Sequence, residues 1–272
     1  MKNWTGERLE TFVFNRITIE HLHRYGIVLD YVKDKVVLDI ACGEGYGSNI
    51  LSEKAEFVYG VDIDINCIDR ARQKYKKNNL EFIEGNTSEI PLKDNSVDII
   101  ISFETIEHHD EHCEMMIEFK RVLKTNGVVI ISTPDKLFYS DKRNYYNEHH
   151  VKELYKYEFK GLLASHFSDL QLLNQTYRNG NSIIQEDLEQ DKISFFTGDY
   201  SSVQNIEVNP MFLLIIASNT KIKKVGLSIF DGGNISNLEM LEKIHKSRSY
   251  RLGHFLLVPL KKIKYLYKKH IR

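Results

Sequence analysis

Apolar and polar positions change period several times along this 272-residue chain, and the changes divide it into elements. Over residues 1–35, Ile19, Leu22, Tyr25, Ile27 and Leu29 make an irregular apolar face that predicts helix. Short unbroken runs of β-branched and aromatic residues then take over: Val36 to Ile40, Phe57 to Val61, Leu80 to Ile83, Val97 to Ser102 and Val128 to Ser132. Runs of that length, apolar at nearly every position, belong to strands covered on both faces. Helical stretches from Tyr46 to Lys54, Asn66 to Tyr75 and His112 to Leu123 separate several of them, and Asn126-Gly127 is expected to close the last helix. Strands alternating with helices, joined by right-handed crossovers, predict an α/β layer: a doubly wound parallel sheet with helices on both faces.

Past Pro134 the pattern loosens into an aromatic, polar loop reaching His150, followed by a predicted helix from about Val151 to Ser165. Two more strands, Leu170 to Tyr177 and Met211 to Ser218, are expected to pair antiparallel at the end of the sheet. Residues 180–209 between them show no clear period and are too long for a plain connection, so they read as an insertion that lines a binding face or moves. The chain therefore divides into a domain over 1–220, with 1–35 as a helical cover, and an extension over 221–272. In that extension Leu260, Ile263, Leu266, Tyr267 and Ile271 share one helical side after Pro259, while the lysines lie mostly elsewhere, which predicts a basic amphipathic helix.

Composition and charge sharpen this at four points. The 42% apolar and 28% charged content is that of an ordinary globular protein. Cys42, Cys67 and Cys113 are odd in number and lack CxxC spacing, which supports neither a zinc site nor a disulfide framework and suits a reducing cytoplasm. The N-terminus lacks an apolar signal region, and the longest clean apolar run, Met211 to Ala217, is too short to span a bilayer. Ten of the 37 basic residues fall between Lys243 and Arg272 with no acid among them, so the first 242 residues hold 27 basic against 38 acidic, a net of −11. Such a tail suits an anionic membrane surface or an acidic partner, whereas the acidic body would repel a nucleic-acid backbone.

The most specific chemistry sits where the first apolar run ends in a turn carrying Gly43, Gly45 and Gly47 and leading into a helix. Backbone amides in such a turn can meet a ligand without a Cβ in the way. Asp62 follows at the end of the next strand, where a carboxylate can accept both hydroxyls of an adenosine ribose. The glycine spacing is GxGxG, with Ser48 where a dinucleotide fingerprint needs its third glycine, so no pyrophosphate is implied. Asp39 precedes the turn, placed to orient the loop or to meet an amino-acid moiety.

The segment LDIACGEGYG together with Asp62 resembles the class I S-adenosylmethionine-dependent methyltransferases. Four later segments keep that family's order: Glu84 to Ser102, Ser102 to His112, Glu118 to Asp135, and the strand pair around Leu170 and Phe212. The resemblance implies a Rossmann-like, seven-stranded, mostly parallel sheet, here with a C-terminal helical extension, and S-adenosyl-L-methionine as cofactor. It assigns Gly43 and Gly45 to the methionine and ribose parts, Asp62 to the ribose diol and Asp39 to loop support. Asn86 stands where relatives often carry an acid facing the adenine amino group, and Ile63 is placed to pack on the adenine. Phe103 is a candidate for lining the methionine part, and Arg24 for pairing with its carboxylate if the first helix folds over the cleft. More narrowly, TGERLE at Thr5, EHLHRY at Glu20 to Tyr25, STPD with Tyr139, and NEHHVKELY at Asn147 to Tyr155 resemble methyltransferases of bacterial surface-polysaccharide (O-antigen or capsule) gene clusters.

The acceptor side rests on histidines. His108 and His109 follow the fourth strand, and His149 and His150 lie in the loop after the fifth, both at the edge where ligands of doubly wound sheets sit. A neutral imidazole can take a hydroxyl proton as a methyl arrives, and the candidates rank His108, His149, His150, then His109. Glu104 is placed to orient an imidazole or accept a substrate hydroxyl, while Glu107-His108 can equally be a capping pair. No HExxH or regular ligand spacing occurs, so no metal is expected. The expected activity is methylation of a sugar hydroxyl or sugar-linked phosphate of a surface glycan in the cytoplasm, with the tail expected to hold the protein peripherally at the inner membrane face. Methylation of a quinone or lipid precursor, and a non-catalytic scaffold of a glycan-assembly complex, are the alternatives.

Overall fold

The computed structural model describes residues 9–187, 193–253 and 255. Helix α1 (Arg16–Val32) starts where Asn15 accepts from the Thr18 amide and the Thr18 hydroxyl accepts from the Asn15 amide, a reciprocal cap. Residues 9–15 before that cap are not helical, so the cover is shorter than the apolar face suggested. The alternating half follows as β1 (Val36–Ile40), α2 (Tyr46–Leu51), β2 (Phe57–Asp62), α3 (Ile65–Lys74), β3 (Leu80–Glu84), β4 (Val97–Phe103), α4 (His112–Val122) and β5 (Leu123–Pro134). Helix α4 ends before Asn126-Gly127, which lie inside β5 instead of closing the helix. The carbonyls of Arg121 and Val122 are taken by the amides of Asn95 and Ser96, so the chain turns extended at once.

The second half comprises α5 (Lys136–Tyr139), α6 (Lys156–Ala164), β6 (Asp169–Arg178), β7 (Asn181–Glu186), β8 (Phe195–Gly198), β9 (Val203–Ile206), β10 (Phe212–Ser218), β11 (Ser228–Asp231) and α7 (Gly233–Lys246). Residues 151–155, predicted helical, are not; the amides of Val151 and Lys152 are drawn instead to the carbonyl of Glu107.

The main sheet runs β11-β7-β6-β10-β5-β4-β1-β2-β3, nine strands where seven were expected. Strands β3, β2, β1, β4 and β5 are parallel, and β10, β6, β7 and β11 continue antiparallel. The two additional strands come from segments read as insertion and extension: β7 opens the insertion, and β11 follows a stretch in which Val225 exchanges two 2.8 Å hydrogen bonds with the Gln171 side chain. The rest of the insertion contributes the separate hairpin β8-β9. The basic amphipathic segment after Pro259 lies outside the described residues.

The unbroken apolar runs are explained by two cores. Leu38, Ile100, Ile131 and Ile215 pack with Met115 and Phe119 of α4 and Phe159 of α6, whereas their neighbours Val37, Ile99, Ile130 and Leu214 pack with Tyr25, Val28 and Val32 of α1 and Leu51 of α2. Each strand residue thus faces one layer and the next faces the other. Burying side chains of this size contributes roughly 1.5–3 kcal/mol each, which holds the strand ends, and the loops leaving them, in fixed places. Among the described residues no helix is long and apolar enough to cross a membrane.

Candidate functional site

The strand order reverses between β1 and β4, and both neighbouring strand exits carry backbone that side chains rarely adopt. Ala41 after β1 has φ 59° and Glu104 after β4 has φ 53°. Left-handed backbone costs a non-glycine residue about 1–2 kcal/mol, so it persists only where surrounding packing fixes it, as at ligand sites. Gly43 (φ 55°) follows, with nothing within 4 Å of the position a Cβ would take: the turn borders open space. Gly45 (φ 84°) does not border it. A Cβ there would stand 2.6 Å from the Phe82 ring, so this glycine sets the turn's packing on α3 and β3 and, unlike the expected direct contact with a ligand, acts through the shape it gives Gly43.

Asp39 is likewise behind the wall. It is 1% exposed, accepts from the Ser48 hydroxyl at 2.6 Å and from the Tyr25 hydroxyl at 3.3 Å, and does not line the cavity. Burial, opposed by these two hydrogen bonds and reinforced by the charge of Asp62, pushes its carboxyl up to about 7. Its work is to lock the start of α2 and the Tyr25 ring behind the glycine turn. Glu44, in the same turn, accepts from the Thr11 amide at 2.8 Å and pairs with Lys74, tying the N-terminal segment over the loop.

Asp62 ends β2 and lines the cavity. Its Oδ2 accepts from the Gly43 amide at 2.8 Å and its Oδ1 from the Asp64 amide at 2.9 Å. A carboxylate offers about four acceptor sites, so a diol can still be bound while these two amides fix its orientation. Ile63 beside it lines the cavity and is 66% exposed, an apolar surface free for a planar ring. Phe103 also lines the cavity, braced edge-on by Tyr25 at 5.1 Å. Asn86 lines it too, but its Oδ1 accepts from the Thr87 hydroxyl (3.2 Å) and the Ser88 amide (3.3 Å). Its carbonyl is thus committed to the turn, and its NH₂ is the group left to meet a ring nitrogen.

Arg24 does not face the cleft as expected. It is fully buried and absent from the cavity wall: its Nε donates to Gln175 Oε1 at 2.7 Å, its guanidinium lies 4.5 Å from the Phe212 ring centroid, and one terminal nitrogen is 3.3 Å from Glu104. A cofactor carboxylate would have to displace Glu104 to reach it. Arg16, two helical turns earlier, reaches the cavity instead, held at 2.8 Å by Glu20.

The cavity has a volume of about 1170 Å³, above the roughly 300–1,000 Å³ usual for one small ligand. Glu104, Glu107, His108, His149 and His150 also line it, so all four proposed catalytic residues share one cavity with Gly43 and Asp62. Glu104 Oε1 accepts from the Ser132 hydroxyl at 2.6 Å; burial raises its carboxyl above the usual range against the pull of Arg24. Glu107, missed as a site residue because it reads equally as a cap, is 1% exposed and accepts from the Thr133 hydroxyl at 3.2 Å. Burial, and then the neighbouring Glu104 charge, raise its carboxyl well above the ordinary value.

His108 Nδ1 donates to the carbonyl of His149 at 3.0 Å, and His150 Nδ1 meets Glu153 Oε1 at 2.6 Å. The His108 and His150 rings stand at right angles, 5.2 Å apart, with Tyr139 stacked on His150 at 5.4 Å. Glu153 and Tyr139 lie in two of the segments that carry the narrower resemblance, but no spacing or pattern in the sequence assigns them as supports of His150. His109 lines the cavity with both ring nitrogens unpartnered among the described residues, and burial lowers its pKa.

A family profile described as a methyltransferase domain matches residues 38–131, which carry the glycine turn, Asp62 and the Glu104–His108 segment. A probable S-adenosylmethionine-dependent methyltransferase of Mycobacterium tuberculosis is 32% identical over 197 residues, covering 66% of this chain and 70% of that protein. One of Mycolicibacterium smegmatis is 32% identical over 165 residues, covering 57% of this chain, which spans 63% of that relative's length. Among solved structures, a SAM-dependent methyltransferase from Archaeoglobus fulgidus superposes with a TM-score of 0.55 at 20% identity, over 75% of this chain and 94% of that one, a likeness of fold.

Proposed function

The chain belongs to the S-adenosylmethionine-dependent methyltransferases, and from that premise we propose that it methylates an oxygen of a sugar, or of a sugar-linked phosphate, in bacterial surface-polysaccharide synthesis. The observation that carries the reading is that His108, His149 and His150 line the same cavity as Gly43 and Asp62. Bound S-adenosylmethionine supplies a sulfonium methyl: the O–CH₃ bond forms as the C–S bond breaks, and its electron pair stays on sulfur. The chain's own residues have three tasks. The Gly43 turn, Asp62 and Ile63 hold the cofactor end, and Phe103, backed by Tyr25, excludes water from its middle. An imidazole of the trio takes the proton lost by a hydroxyl acceptor; an ionised phosphate would need no base.

The acceptor end suits a hydrated, oxygen-rich ligand. Tyr139, Tyr145 and Asn147 line it, and Arg143, which also lines it, lies 5.5 Å and 5.0 Å from the two tyrosine ring centroids. Aromatic faces with amide and guanidinium donors match sugar rings and, through the arginine, a phosphate. The basic residues between Lys243 and Arg272 would bring the enzyme to anionic lipid, where a lipid-linked glycan resides.

Incubation with methyl-labelled cofactor and two extracts, lipid-linked glycans and isoprenoid quinones, tests the reading. Label in the glycan fraction, located on a sugar or sugar phosphate by mass spectrometry, supports it. Label only in the quinone fraction replaces it with small-molecule methylation.

A further inference from the structure

The cavity wall around His108 and His150 holds more than a set of bases. A carboxylate oxygen of Glu107 and one ring nitrogen each of His108 and His150 lie within 4.8 Å of one another. Bonds of roughly 2.0–2.3 Å to a single ion place its ligands up to about 4.5 Å apart, so only small side-chain movement is needed for all three to share one. We propose that Glu107, His108 and His150 form a binding site for a divalent first-row cation that faces the acceptor end of the cavity.

The atoms behind these three support it. The carbonyl of His149 can only accept, so the 3.0 Å contact places a proton on His108 Nδ1, and in the neutral ring Nε2 is then the nitrogen able to ligate a cation. His150 is held through the same Nδ1 atom by the Glu153 carboxylate at 2.6 Å. An imidazole whose second nitrogen donates to a carbonyl or carboxylate is the arrangement that fixes tautomer and ring angle in metal-ligating histidines. Glu107 is oriented by the Thr133 hydroxyl, and its carbonyl receives the amides of Val151 at 2.8 Å and Lys152 at 3.0 Å. That backbone clamp carries the loop of His150 to the turn of Glu107 and His108, uniting ligands from two distant segments.

Mixed imidazole and carboxylate donors suit Mn²⁺, Fe²⁺, Co²⁺ or Zn²⁺ better than Ca²⁺. Three protein ligands on a cavity wall leave positions open for water or an acceptor oxygen. The consequence for catalysis rests on the oxygen-methylation reading above: the cation would bind and acidify the acceptor hydroxyl, whose proton passes to His149 as the O–CH₃ bond forms. Binding of the ion itself does not depend on that reading.

The test uses the full chain stripped with a chelator and titrated with Mn²⁺, free ion being followed by electron paramagnetic resonance and repeated with Co²⁺ by visible absorption. One saturable equivalent is expected, weakened at least tenfold in His108→Gln and in His150→Gln, and tenfold to a hundredfold in Glu153→Ala, which frees the His150 ring. Calorimetric binding of S-adenosylmethionine serves as the folding control for each variant. No saturable ion in the wild type, or occupancy indifferent to all three substitutions in protein that still binds cofactor, overturns the site. Retained ion binding in a protein that transfers no methyl to any oxygen acceptor would instead sink the oxygen-methylation reading and leave the cation site standing.

Discussion

The backbone amide of Gly43 donates to Asp62 Oδ2 at 2.8 Å, tying the turn that leaves β1 to the last residue of β2. The carboxylate therefore has two duties, ordering the turn and accepting a ligand, and the second is performed with an orientation set by the first.

Replacing Asp62 with Ala should weaken S-adenosylmethionine binding by about 1.5–3 kcal/mol, the scale of hydrogen bonds to a charged acceptor. Because the amides of Gly43 and Asp64 lose their partner too, the unfolding midpoint should fall as well. Titration calorimetry with a parallel thermal melt checks both; an unaltered affinity would remove Asp62 from the cofactor site.

Gly43 and Gly45 should separate under the same substitution. Gly45→Ala brings a Cβ to 2.6 Å from the Phe82 ring at φ 84°, and should cost about 2–4 kcal/mol of stability from overpacking and backbone strain. Gly43→Ala, at φ 55° beside open space, should cost about 1–2 kcal/mol while losing at least tenfold in cofactor affinity, since the new methyl enters the cavity. Urea unfolding and cofactor titration on both variants decide it; equal effects on affinity would show that the turn acts as one unit.

Asp39 should make stability depend on pH. Its carboxyl is raised from 3.8 to about 7 in the fold, so between those values the native state holds a proton that the unfolded chain has released. This stabilisation is complete below about pH 4 and is lost as pH rises through about 7, with a slope approaching 1.4 kcal/mol per pH unit for one proton. Asp39→Asn keeps one acceptor for Ser48 or Tyr25 and should flatten that part of the curve. Urea denaturation of both proteins from pH 4 to 8 measures the difference, and parallel curves would rule out the assignment.

Arg24→Met leaves Glu104 without the guanidinium 3.3 Å away in a buried setting. Breaking a buried pair from one side costs about 3–5 kcal/mol, so the variant should unfold at markedly lower urea. Cofactor affinity of the folded protein should change less than threefold, because Arg24 does not line the cavity. A large affinity loss at intact stability would restore the carboxylate-binding role.

Removing residues 256–272 takes away six of the basic residues and should abolish most co-sedimentation with anionic vesicles, leaving turnover on soluble acceptors intact. Undiminished sedimentation of the shortened protein would reject the tether.

Local chemistry alone fixed much of this protein. Unbroken apolar runs such as Val36 to Ile40 can be buried only by layers on both sides, so the fold class was readable from residue order; GxGxG followed by Asp62 departs from a dinucleotide fingerprint, and the family resemblance those residues carry implies the cofactor. What tertiary structure decided are relations between segments that no local pattern encodes. The outer strands β7 and β11 pair only because distant edges meet, and a guanidinium on the right helix, Arg24, falls behind the wall because Glu104 and Gln175 reach it first. The same holds for the meeting of Glu107 and His108 with His150. Their spacing along the chain carries no ligand signature; two amides closing on one carbonyl bring them together.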